Sequence, residues 1–123
     1  MSEREIVIVD GVRTGFGNMG GSLRDFYPTD LAAATVRGLL EKNQIQERGG
    51  QVDSLFCGSV FSDAQSVNHA RYISLAAGLP YDVSCTFAEM QCGSAINAIN
   101  LAAWKMLSGA SDVMIVGGVE SHS

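Results

Sequence analysis

Val83-Ser84-Cys85-Thr86-Phe87, followed after four residues by Cys92-Gly93-Ser94-Ala95 and an almost uncharged stretch running to Ser108, is the part of the chain that decides the fold. Residues 83–87 read as a short strand, because β-branched and aromatic side chains suit a pleated surface. The stretch from Cys92 carries one charge, Lys105, and stops at Gly109, which is the pattern of an enclosed helix. A cysteine therefore stands where a strand gives way to a helix. A helix N-terminus presents unpaired N–H groups and about half a positive charge, and these stabilise a thiolate. The small residues at 93–95 let a substrate carbonyl approach the backbone closely. Cys92 is the candidate nucleophile, weighed against the ordinary role of a free cysteine as a small buried apolar group.

Outward from this junction, strands and helices alternate. Ile6-Val7-Ile8-Val9 is a continuous β-branched run of the kind found inside a sheet covered on both faces. The glycine-rich stretch from Val12 to Pro28 has no sustained period and reads as an ordered loop. Thr29 offers an N-cap to a helix that closes near Asn43. Leu55 to Val60 reads as a second strand, residues 68–77 as a short helix stopped by Gly78 and Pro80, and Val113 to Val116 as a last strand. The fold class expected is α/β, with helices on both faces of a largely parallel, four-stranded sheet. One such sheet cannot enclose the helix from Cys92, so that helix is expected to be covered by further chain or by another subunit.

Composition narrows the function. The 123 residues suffice for one domain or part of one, and 46% are apolar against 17% charged, a balance that leaves apolar surface for a partner. A net charge of −5, with no basic cluster among aromatics, argues against nucleic acid. Cys57, Cys85 and Cys92 lack C-x-x-C spacing and read as reduced thiols of a cytoplasmic protein. Met1 to Glu5 is polar and has no signal-peptide pattern, and Asn97, Asn100 and Lys105 make residues 92–108 a core helix rather than a membrane span.

Gly15-Phe16-Gly17-Asn18-Met19-Gly20 matches G-x-G-x-x-G, but no helix opens at Gly20 and Pro28 precedes the next helical pattern, so a dinucleotide has no helix end on which to rest its pyrophosphate. No metal is expected, because His69, His122 and the cysteines show no ligand spacing. Glu89 and Glu120 are candidate acid or base groups, weighed against solvated or capping roles.

Val12-Arg13-Thr14-Gly15-Phe16-Gly17, Gly21-Ser22-Leu23, Thr29-Asp30-Leu31, Asn68-His69-Ala70-Arg71, Ala77-Gly78-Leu79-Pro80, Gln91-Cys92-Gly93-Ser94 and Gly117-Gly118-Val119-Glu120-Ser121 together resemble the N-terminal part of a thiolase, in order and over almost the whole chain. The resemblance implies a thiolase-like fold, with residues 1–123 as a partial N-terminal domain. It implies that Cys92 takes an acyl group from an acyl-CoA to form an acyl-enzyme, and that the amide of Cys92 helps to hold the oxyanion. CoA thioesters are then substrates, and no cofactor is called for.

The family's catalytic histidine and second cysteine come from a C-terminal half with no match here, so the isolated chain is expected to be nearly inactive. The strand preceding the nucleophile is expected at a two-fold contact, residues 83–88, in a homodimer or tetramer. Glu89, Ala95 and Gly15 depart from the usual asparagine, glycine and proline, and Glu89 sets an extra carboxylate near Cys92. Two other readings stay open at this stage: a non-catalytic small subunit completed by a separate partner, and a ketoacyl synthase-like condensing enzyme.

Overall fold

Three of the four apolar runs pair as strands in the computed structural model, which describes residues 3–61 and 66–123. The order along the chain is α1 (Pro28–Asn43), β1 (Ser54–Gly58), α2 (His69–Ala76), β2 (Ser84–Ala88), α3 (Ser94–Leu107) and β3 (Met114–Gly118). All pairing is parallel, in the order β2-β1-β3, with Ser54 opposite both Ser84 and Met114 and Gly58 opposite both Ala88 and Gly118. Every residue of β1 is buried, as a central parallel strand requires. Its side chains alternate between two cores. Leu55 and Cys57 join Leu40, Ala70, Ile73, Leu79 and Ile115 on the side of α1 and α2. Phe56 packs with Ala98 and Ala102 of α3 on the other.

The fourth run is not in the sheet. Ile6 to Val9 has no strand pairing, and Val7, Ile8 and Val9 are 63%, 87% and 85% exposed. β1 is paired on both edges by β2 and β3, and residues 6–9 do not pair with the outer edge of either. The segment is pinned at each end instead. Arg4 bonds the Met106 carbonyl at 3.0 Å and Asp112 at 2.8 Å, while Asp10 accepts from Asn43 at 2.9 Å, Lys42 at 3.0 Å and the Gly11 amide at 2.7 Å.

Helix boundaries follow local chemistry. α1 starts at Pro28, with Tyr27 rather than Thr29 at the cap, because proline's fixed φ and missing N–H suit the first helical position. Thr29 lies buried in the first turn. α2 is capped by Asn68, whose side chain accepts the Arg71 amide at 3.1 Å. The single charge of α3 has a structural use: Lys105 donates to the hydroxyls of Ser54 at 2.7 Å and Ser84 at 2.8 Å, tying the starts of β1 and β2 to the helix. The sheet covers one side of α3, and Ile96 and Trp104 on other sides are 64% and 63% exposed, so within this chain the helix is not enclosed as its composition suggests. Among the described residues no helix is long and apolar enough to cross a membrane.

Two glycines set the position of α3. A Cβ on Gly58 would lie 2.4 Å from the carbonyl carbon of Ser94 and 2.6 Å from the Ala95 nitrogen. On Gly118 it would lie 2.6 Å from the Ala95 Cβ. The first turn of the helix therefore rests directly on the ends of β1 and β3. Because backbone cannot yield as a flexible side chain does, Gly58→Ala is expected to cost about 1–3 kcal/mol or more, read as a lower Tm in a thermal melt.

Asp10 generates a second expectation. Its hydrogen bonds to Asn43, Lys42 and Gly11, in that order, hold its carboxyl down at about 2. A depressed folded value means stability that is present above the unfolded value of about 4 and lost as pH falls through the folded one. Asp10→Asn is expected to lower the Tm above pH 4 and to match the parent chain near pH 2, as acid-dependent melts will show.

Candidate functional site

The route from β2 to α3 passes through a tight turn that displays the cysteine. The Gly93 amide donates to the Met90 carbonyl at 3.0 Å, and Gln91 within the turn has φ +48°, in the left-handed region. That conformation costs a residue with a side chain about 1–3 kcal/mol and persists only where its surroundings hold it. The turn uses up residues 90–93, so α3 begins at Ser94, with Gly93 as its cap, rather than at Cys92. Cys92 stands just ahead of the helix, exposed to solvent.

The C-terminal ends of the strands converge on it. Cys92, Ala95, Gly58 and Gly118 line one cleft of about 680 Å³. In open α/β sheets this end of the strands is where ligands bind. The loop that contains the G-x-G-x-x-G match forms another wall of the cleft, through Arg13 to Met19. Sequence pattern excludes that loop from one role without pointing to this one, since nothing local says which strand ends a loop will face.

Each ionisable neighbour has a definite place. Glu120 also lines the cleft, but its carboxylate accepts the Val60 amide at 2.7 Å, the Phe61 amide at 3.4 Å and the Ser59 hydroxyl at 3.1 Å. It ties the exit of β3 to the exit of β1, a capping use rather than that of a base. Glu89 accepts the Gln91 amide and so belongs to the turn itself. His69 is fully buried, its ring 4.8 Å from that of Phe87. His122 is exposed in the cleft, edge-on to Phe61 at 5.4 Å. Among the described residues no acid or imidazole is hydrogen-bonded to the Cys92 thiol, and no cluster could hold a metal ion.

The three cysteines differ in their settings. Cys57 is buried in β1, and burial, with Glu120 second, pushes its thiol up to about 12. Cys85 is half-buried and donates to the Val83 carbonyl at 3.4 Å. None is in a disulfide.

Comparison with known proteins agrees with this architecture. Residues 6–123 match the family described as thiolase, N-terminal domain. The chain belongs to the thiolase family. It is 39% identical over 120 residues to a steroid 3-ketoacyl-CoA thiolase of Mycobacterium tuberculosis, covering 97% of this chain and 29% of that one. An acetyl-CoA acetyltransferase of Schizosaccharomyces pombe is 36% identical over 123 residues, covering 100% and 31%. A crystal structure of the Bacillus anthracis acetyl-CoA acetyltransferase superposes with a TM-score of 0.78 at 31% identity, covering 85% of this chain and 26% of that one. The chain thus spans less than a third of the length of the curated relatives it matches. Both the thiolase resemblance and the α/β fold class read from the sequence hold.

Thiol settings in this thiolase domain order the reactivity of its cysteines. With limiting iodoacetamide at pH 8, peptide mapping is expected to find label first on exposed Cys92, less on Cys85 and essentially none on Cys57 until the chain is denatured.

Proposed function

We propose that this chain carries the nucleophile of an acyl-CoA C-acyltransferase and that Cys92 is that nucleophile. One observation supports this above the rest: the thiol is exposed on a strained turn at the head of α3, in the cleft where the strand ends meet. The names of the relatives, acetyl-CoA acetyltransferase and 3-ketoacyl-CoA thiolase, favour CoA thioesters as substrates.

In the first step the Cys92 sulfur, as thiolate, attacks the thioester carbonyl. The tetrahedral oxyanion is held by backbone N–H groups, among them the amide of Cys92, and collapses with loss of the CoA thiolate to give an acyl-enzyme. A carbon nucleophile then takes the acyl group, or in the reverse direction a 3-ketoacyl-CoA is cleaved. A thiolate meets a thioester carbonyl directly, so the step calls on no metal or prosthetic group. Deprotonating the α-carbon of an incoming acyl-CoA does need acid/base help, which contributes about 10²- to 10⁴-fold. No acid or base is hydrogen-bonded to Cys92 among the described residues, and in this reading that help comes from the part of the relatives' length that this chain does not span. Among the described residues β2 is paired on one edge, and in this reading its other edge takes a second copy in a cytoplasmic homodimer or tetramer.

Intact-protein mass spectrometry after exposure to acetyl-CoA tests the reading. An acetyl group mapped to Cys92, absent from Cys92→Ser, is the expected result. No adduct on this chain, nor on the same sequence within a full-length relative, would overturn it.

A further inference from the structure

Gln91 precedes Cys92, and both of its peptide groups are hydrogen-bonded by side chains that make no hydrogen bond to the thiol. On one side the Gln91 amide donates to the Glu89 carboxylate at 2.5 Å. On the other, the Gln91 carbonyl accepts the Ser94 hydroxyl at 2.6 Å and the Ser94 amide at 3.1 Å. The same hydroxyl accepts the Met90 amide at 2.8 Å. Since that amide can only donate, the single hydroxyl proton of Ser94 is assigned to Gln91, and the hydroxyl acts as donor and acceptor at once. Ser94 is 3% exposed, locked in place by the close approach of Gly58 to its backbone, whereas Glu89 is exposed.

We infer that Glu89 and Ser94 are positioning residues for Cys92: together they hold Gln91 in the left-handed conformation that keeps the thiol at the head of α3. A carboxylate beside a nucleophilic cysteine would ordinarily oppose the thiolate by charge. Here one carboxylate oxygen accepts a backbone amide two residues on, and a neutral acceptor could fill the same role. The inference rests on the reading of Cys92 as nucleophile, yet its test runs on the thiol itself and needs no CoA ester.

The rate of Cys92 alkylation by iodoacetamide, followed by peptide mapping in the parent chain and in Glu89→Ala, Glu89→Gln and Ser94→Ala, distinguishes the cases, with thermal melts alongside. Glu89→Ala and Ser94→Ala are expected to slow Cys92 by about three- to tenfold, the effect of a hydrogen bond lost from the element that places it. Cys85 labelling should stay unchanged. Glu89→Gln is expected to restore the parent rate, because a carboxamide oxygen also accepts an N–H, and amide exchange at Gln91 should quicken in Glu89→Ala alone of the two Glu89 variants. If both Glu89 variants react faster than the parent, the carboxylate acts on the thiol through charge and the inference falls. It falls equally if Glu89→Ala keeps the parent rate. Should Ser94→Ala fail to fold, the exposed Glu89 pair carries the test. Acetyl-CoA added to the same samples separates the two claims: a parent chain left unacetylated while the alkylation pattern holds would sink the acyltransferase reading and leave the positioning role standing.

Discussion

The direct seating of α3 on the strand ends is the constraint on which the rest of the site depends. Gly58 and Gly118 leave no room for a Cβ against Ser94 and Ala95, so the helix approaches β1 and β3 at backbone distance. With its first turn fixed there, and β2 held in register with β1 from Ser84 to Ala88, few residues remain to join strand to helix. The joint is short enough that one residue, Gln91, adopts the left-handed region, and the cysteine that follows is turned outward. The strain at Gln91 is thus a result of packing at two glycines in other strands.

Polar groups around the turn are committed to holding it. Ser94 spends its hydroxyl on Met90 and Gln91, Glu89 its carboxylate on Gln91, and Glu120 its carboxylate on the exit of β1. That commitment leaves the Cys92 thiol exposed, with no acid or imidazole hydrogen-bonded to it among the described residues. At the opposite end of the sheet, Lys105, Ser54 and Ser84 form a second polar knot that fixes the far ends of the same elements. The helix is pinned at both ends, with its packing of Ala98 and Ala102 on Phe56 between them, which makes the placement of Cys92 a property of the whole α3 and sheet assembly.

Large apolar side chains remain exposed in places that matter. Ile96 and Trp104 lie on α3, and Val7, Ile8 and Val9 form a run outside the sheet. Exposed apolar side chains of this size, where they cluster, are where proteins bind other polypeptide. They accord with a chain that spans less than a third of the length of its curated relatives.

Much of this was legible in the sequence. Residues 83–87 read as a strand, the charge-poor stretch before Gly109 as a helix and Cys92 as the junction, because side-chain shape and period act locally. Asn68 and Gly78 punctuate α2 for the same reason. Ile6 to Val9 shows the limit: β-branched residues suit a strand, but propensity does not make a pairing, and the segment lies outside the sheet although the outer edges of β2 and β3 are unpaired among the described residues. Thr29 fits a cap by type, yet Pro28 beside it settles where α1 starts.

By itself the sequence determined the α/β class and the family, and it put Cys92 at the junction of a strand and a helix. Only the tertiary structure decided that Gly58 and Gly118 seat the helix, that Glu89 and Glu120 serve backbone amides, and that the loop from Arg13 walls the cleft. Those roles arise between residues far apart in the chain or across a turn whose geometry packing imposes, and local propensity carries no record of either.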